Sequence, residues 1–340
     1  MATALPPHVV TQTQVAEAAA AGFGPRYGDF QRLARVFETS GIETRHLVHP
    51  VEWYLTHAGW QARNDAYLEA GSDLLGQAAR RALDQAGLAA EDVDTVVTVS
   101  STGIATPGLE ARIAGRLGLR ADVLRVPVFG LGCGGGAAGL ALAATLAEAR
   151  PGALVLLMVV ETCSLGFRLD VLSKANIVAT ALFGDGAAAC LLRVGEKGLA
   201  EVAFSSQHTW PDTLDIMGWR VEDQGLGVIF DRAIPPFAEA MLAPAVAGLL
   251  SRQGLALGDI DAFACHPGGA KVITALESAL ALPEGRLQAE RAVLAACGNM
   301  SAPTVLHVLA ADLAAGARGN RLMLALGPGF TAGFQIVRVG

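Results

Sequence analysis

Cys133 stands in the run Gly132-Cys133-Gly134-Gly135-Gly136, and the alanine-rich stretch that follows reads as a core helix. The opening of a helix carries unpaired N–H groups and about half a positive charge, so it favours an anion such as a thiolate. The glycines leave room for a substrate to come close. A thiol that ionises near neutral pH needs an imidazole within hydrogen-bonding reach. His266 is the candidate: it ends a strand-like run over residues 260–265 and precedes Pro267-Gly268-Gly269, a turn that stops the strand and leaves its tip open. A hydrogen-bonded core histidine is the ordinary alternative. Asn299, in Cys297-Gly298-Asn299-Met300-Ser301, is either a helix N-cap or, opposite a thiolate, a hydrogen-bond donor to an oxyanion.

The elements that must position these residues repeat along the chain. GLAAEDVDTVVTVSSTG near residue 87 is answered by GLALGDIDAFACHPGG near residue 254, an offset of 167 in a chain of 340. Residues 143–147 are echoed by 310–314 at the same offset, and each segment runs on into an apolar strand, LVLLMVV or LMLALG. Each half reads as a buried strand, a helix, a turn opening a second core helix, then two apolar strands, which predicts a layered α/β protein. The halves join near residues 196–199, so 1–198 carries Cys133 and 199–340 carries His266 and Asn299. The repeat sets Gly132-Cys133 beside Gly298-Asn299, two helix openings that would face each other.

Composition removes several function classes. A 52% hydrophobic chain builds a sizeable core, and a net charge of -7 offers no footprint for nucleic acid. The five cysteines, never spaced as CxxC, argue against a disulfide framework and against a zinc site, and suit a reducing cytoplasm. The first arginine or lysine is Arg26, so the N-terminus lacks the pattern of a secretory signal. Residues 126–147 run without a charge, but Pro127 and six glycines there suit a buried strand, a tight turn and a core helix better than a membrane span. Arginine outnumbers lysine 22 to 3.

Four segments together carry a resemblance: the turn around Cys133, the run Ala181-Leu-Phe-Gly-Asp-Gly-Ala-Ala-Ala, His266-Pro-Gly-Gly and Gly298-Asn-Met-Ser. In this order, with 133 residues from Cys133 to His266 and 33 from there to Asn299, the chain resembles the type III polyketide synthases of the chalcone synthase superfamily from about Pro6 to Val339. The resemblance implies a thiolase-like αβαβα layered fold of two pseudo-equivalent halves and a homodimer. It implies acyl-CoA and malonyl-CoA as substrates, with no metal and no cofactor beyond these thioesters. Cys133 would take the acyl group, His266 would hold it as thiolate, and His266 with Asn299 would donate to the malonyl thioester oxygen during decarboxylation.

Other positions transfer by the same resemblance. Phe183 matches a gatekeeper between CoA tunnel and cavity, and Asp185 beside it reads as structural. Arg32 and Arg35, one helical turn apart, match two residues that meet CoA phosphates, with Gly268 and Gly269 also at the CoA site; the third basic position is Thr39 here. Thr102, Cys163, Gly166, Gly218 and Ser301 match the wall of the substrate tunnel, where a glycine at 166 leaves room. Residues 209–219 and 225–232 resemble the bacterial alkylresorcinol and alkylpyrone synthase branch, which implies a long-chain fatty acyl starter. Two alternatives share parts of this pattern: a ketoacyl synthase III-like condensing enzyme, and a non-catalytic acyl-CoA-binding paralogue.

Overall fold

All nine residues of the segment LVLLMVVET are buried. A strand covered on both faces needs a continuous apolar run in place of alternation. Leu154, Leu156, Met158 and Val160 join one core, while Val155, Leu157 and Val159 join another. That strand therefore lies inside a sheet with helices on either side.

The computed structural model describes residues 1–56, 58–195 and 198–340. Its first part contains strands β1 (Ala2–Ala4), β2 (His8–Thr11), β3 (Thr44–Leu47), β4 (Val93–Val99), β5 (Leu124–Val128), β6 (Leu154–Thr162) and β7 (Asp185–Leu192). Helices α1 (Gln12–Phe23), α2 (Phe30–Thr39), α3 (Val51–Tyr54), α4 (Trp60–Ala86), α5 (Leu109–Leu117), α6 (Gly135–Ala149) and α7 (Lys174–Leu182) alternate with them. The second part contains β8 (Glu201–Thr209), β9 (Met217–Glu222), β10 (Gly225–Phe230), β11 (Ala262–Cys265), β12 (Gly319–Gly327) and β13 (Thr331–Val339). Its helices are α8 (Ile234–Ser251), α9 (Ala270–Ala279), α10 (Gln288–Cys297) and α11 (Thr304–Ala314).

The main sheets run β1-β7-β6-β4-β5 and β11-β12-β13-β8. Between them lie α6 and α11, whose Ala137, Leu140, Val305 and Leu309 share one core with Val97, Val159, Met323 and Val337 from both sheets. On the outer faces, α4 covers the first sheet and α8, α9 and α10 cover the second. The layers are thus helix, sheet, helix, sheet, helix, as expected.

The repeat is a structural one. Single 3-10 turns at Ala90–Asp92 and Leu257–Asp259 lead into β4 and β11. Each is closed alike, by Asp92 Oδ2 accepting from Ala89 N at 2.8 Å and Asp259 Oδ2 accepting from Ala256 N at 2.7 Å. The halves nevertheless share their central core, so neither buries its middle helix alone. Their expected junction at residues 196–199 falls partly on Glu196 and Lys197, which lie outside the described residues.

Two expectations change. The segment 126–147 does form a strand, a turn and a helix, but β5 is the edge of its sheet and its Leu124 is 46% exposed. The sequence shows an apolar strand; only sheet order decides that one side is bare. Among the described residues the helix with the length and apolarity of a membrane span is α8, whose Leu242, Val246, Leu249 and Leu250 sit in the second core.

Candidate active site

The nucleophile turn is built by glycines that let backbones meet. Cys133 lies in the 3-10 turn Gly132–Gly134, which runs directly into α6. Gly132 has φ +47, and a Cβ on Gly136 would stand 2.2 Å from the Ala302 carbonyl oxygen. The spare room in this run is therefore taken by the turn before α11, where the sequence suggested space for a substrate. Gly130 and Gly132 both donate their N–H to Ser101 Oγ, at 3.2 and 3.3 Å, which fastens the turn to the end of β4.

Asn299 reaches the same place from the second half. Its N–H donates to Leu182 O at 2.8 Å and its carbonyl accepts from Gly184 N at 2.9 Å, a strand-like bridge to Phe183. Its side chain donates to Gly268 O at 3.1 Å and accepts from Ser301 N at 2.8 Å. Burial pushes the Cys133 thiol up to about 11, opposed by side-chain hydrogen bonds from Ser301 and Asn299. Asn299 is thus both a structural tie and a neighbour of the thiol.

His266 ends β11 with its N–H donated to Leu324 O at 2.7 Å, and its carbonyl accepts from Gly268 N at 3.1 Å. Burial lowers its imidazole to about 4. Both ring nitrogens are buried and have no hydrogen-bond partner in the protein. Since buried polar atoms are nearly always paired, this imidazole is left for a ligand to satisfy. No hydrogen bond joins His266 to Cys133 among the described residues.

Phe183 stands between two spaces. Its ring centroid lies 6.1 Å from Trp219 and 6.2 Å from Phe230. Phe230 lines a cleft of 760 Å³ together with Arg32, Arg35, Thr39, Gly268 and Gly269, so the expected CoA residues do gather at one mouth. Trp219 lines an inner cavity of about 10 Å³ together with Thr102, Leu165 and Gly166. A Cβ on Gly166 would meet the Trp219 ring at 3.0 Å, so the room expected beside that glycine is filled by an indole. Of the other tunnel candidates, Cys163 is buried in the first core, Gly218 faces Pro328, and Ser301 sits at the thiol.

Glu161 is the residue that sequence reasoning missed. It is fully buried at the end of β6 and accepts from Ser101 N at 2.9 Å and Thr102 Oγ1 at 2.8 Å. The Thr102 hydroxyl is thereby committed to the carboxyl. Burial raises Glu161 to about 7, against the pull of these donors. A Glu-Thr ending after seven apolar residues is the signal it left, since a charge at the tip of a buried strand requires partners. Asp185 accepts from Val48 N and Ser164 N at 2.9 and 2.8 Å, a structural role. Among the described residues no His, Cys, Asp and Glu cluster could hold a metal.

Comparison with known proteins fits this geometry. Residues 1–196 match the N-terminal domain of chalcone and stilbene synthases and 201–339 match the C-terminal domain. A 1,3,6,8-tetrahydroxynaphthalene synthase of Streptomyces peucetius subsp. caesius is 42% identical, covering 99% of this chain and 91% of its own. A putative chalcone synthase of Bacillus subtilis (strain 168) is 38% identical over 97% of this chain and 95% of its own. The crystal structure of 1,3,6,8-tetrahydroxynaphthalene synthase from Streptomyces coelicolor A3(2) superposes with a TM-score of 0.94 at 29% identity, covering 99% of this chain and 97% of that one. With both domain models matched in order along nearly the whole chain, the chain belongs to the chalcone and stilbene synthase family, the type III polyketide synthases, transferases that condense malonyl-CoA and need no cofactor beyond their CoA thioester substrates.

Proposed function

We propose that the Cys133 sulfur, its proton passing to His266, attacks the carbonyl of an acyl-CoA, that the C–S bond to CoA breaks and CoA leaves as the thiol with that proton, and that His266 and Asn299 then bind the thioester oxygen of malonyl-CoA. As carbon dioxide leaves, the bonding pair passes to the α-carbon and charge spreads to that oxygen, where fixed donors lower the barrier. The carbanion attacks the acyl carbon on Cys133, the C–S bond breaks, and the chain is two carbons longer on CoA. The observation that carries this reading is the His266 ring, buried with both nitrogens unpaired. A bound thioester oxygen and the Cys133 sulfur supply the partners it lacks.

For the starter, the indole of Trp219 over Gly166 favours a compact acyl group, malonyl-derived or short. The relative is named for a tetrahydroxynaphthalene, whose skeleton divides into two-carbon units and carries no long alkyl tail, which suits the same reading. The long-chain fatty acyl starter, closing to an alkylpyrone or alkylresorcinol, requires Trp219 to swing away from Gly166. Incubation with malonyl-CoA, alone and with acyl-CoA starters of graded length, tests the choice. Products from malonyl-CoA alone or from short starters support the compact reading; alkyl-tailed products in preference overturn it.

We also propose a cytoplasmic homodimer. The five cysteines are free and buried, as a reducing compartment allows. The unpaired edge β5 and its surroundings expose Ile104, Leu124 and Phe129, a surface that a second copy would cover.

A further inference from the structure

The cleft of 760 Å³ in front of Phe183 is lined by five cations, Arg32, Arg35, Lys174, Arg232 and Lys271, and one acid, Asp231. The chain as a whole carries -7, so this mouth runs against the charge of the molecule. Two of the three lysines in the whole sequence are here, in a chain that otherwise uses arginine. Arg35, Lys174, Arg232 and Lys271 make no ion pair with a carboxylate among the described residues, whereas Arg32 pairs with Asp29 at 2.9 Å.

Three helices also begin at the cleft. The first turns of α7, α8 and α9 contribute Lys174 and Ala175, Ile234 and Pro235, and Ala270 and Lys271 to its lining. α7 and α9 have no acidic residue in the first turn and α9 lacks a side-chain cap, whereas α8 opens on Pro235 and Pro236, which have no N–H, with Asp231 Oδ1 accepting from Ala233 N at 2.7 Å. A helix N-terminus without acid or cap keeps N–H groups and a partial positive charge for an anion. Thr39, by contrast, spends its hydroxyl on Arg35 O at 3.0 Å and offers the cleft no charge.

We propose that Lys174 and Lys271, with Arg232 beside them, form a phosphate-binding rim that recognises the phosphate groups of the CoA carrier from the side of α7, α8 and α9. The role that Thr39 cannot fill on α2 is taken across the cleft, and the anion is bracketed between Arg32 and Arg35 on one side and the lysines on the other. This rests on the reading that CoA thioesters enter here. The lysines are exposed point charges, so removing them leaves the core intact.

The test compares the parent with a Lys174→Ala/Lys271→Ala double variant on malonyl-CoA and on malonyl-pantetheine, which has the same thioester and no phosphate. The rim predicts that kcat/KM for malonyl-CoA falls tenfold or more, with the loss in KM, while kcat/KM for malonyl-pantetheine holds. Raising salt should weaken CoA use in the parent more than in the variant. An equal fall on both thioesters, or no change on either, overturns the proposal. So does a parent that prefers a malonyl-loaded acidic carrier protein to malonyl-CoA and loses that preference in the variant. If the parent turns over neither thioester, the functional reading fails by itself, and calorimetric titration of free CoA still decides the rim: binding tenfold weaker in the variant supports it, equal binding overturns it.

Discussion

His266 and Cys133 are both buried, and burial acts on the two side chains in opposite directions. Burial pushes the thiol up to about 11 and the imidazole down to about 4, each towards its neutral form. Asn299 sits between roles, tied to Gly268 and Ser301 yet next to the thiol. Asn299→Ala should therefore slow malonyl-CoA decarboxylation by about 10²–10³-fold while Cys133 acylation stays within a few-fold, since the donor matters when charge develops. Carbon dioxide release and acylation measured separately check this; equal losses would make Asn299 a structural tie only. Glu161 offers a second check at this scale. Its folded value of about 7 lies above that of an exposed carboxylate, so the folded chain keeps a proton that the unfolded chain has lost. Stability from this group is full below about pH 4.5 and is lost as pH rises through about 7. Glu161→Gln should gain on the parent by up to about 3 kcal/mol between about pH 5 and about pH 8. Urea midpoints at the two values measure it, and a gain by the parent would reverse the sign.

At the scale of elements, what could be read ahead was what local chemistry repeats. The Ala89 to Asp92 turn recurs at Ala256 to Asp259 because the same short bond closes both, and that periodicity exposed the layered fold. Cys133, His266 and Asn299 stood out as candidates because glycine and proline mark the ends of the strands and helices that hold them. Glu161 was not, because its partners Ser101 and Thr102 stand about 60 residues earlier and meet it only when β4 pairs with β6. Trp219 was passed over for a similar reason: β9 reads as a strand, and nothing in its pattern says that it packs on Gly166 of another segment. The resemblance supplied the glycine and left the indole unseen. Trp219→Ala should open the inner cavity and raise the ratio of kcat/KM for a long acyl-CoA over a short one by tenfold or more, because each buried methylene adds roughly 0.8 kcal/mol. An unchanged ratio would place the length limit elsewhere.

Considered whole, the molecule joins two halves through the shared α6 and α11 layer and carries a basic cleft and a bare sheet edge. The edge predicts that the chain sediments at twice its 35.0 kDa and that charged replacements, Leu124→Asp with Phe129→Asp, return it to one. A parent that is monomeric at micromolar concentration would contradict this. On the proposed function, the whole assembly serves to load one thiol and extend what it carries. Intact-mass measurement after exposure to an acyl-CoA tests that most directly. One acyl group per parent chain is expected, located at Cys133, and none on Cys133→Ala, which should make no product with malonyl-CoA. An acylated Cys133→Ala chain, or full product from it, would contradict the account, and a parent that binds the thioester without ever becoming acylated would mark a binding protein in place of an enzyme.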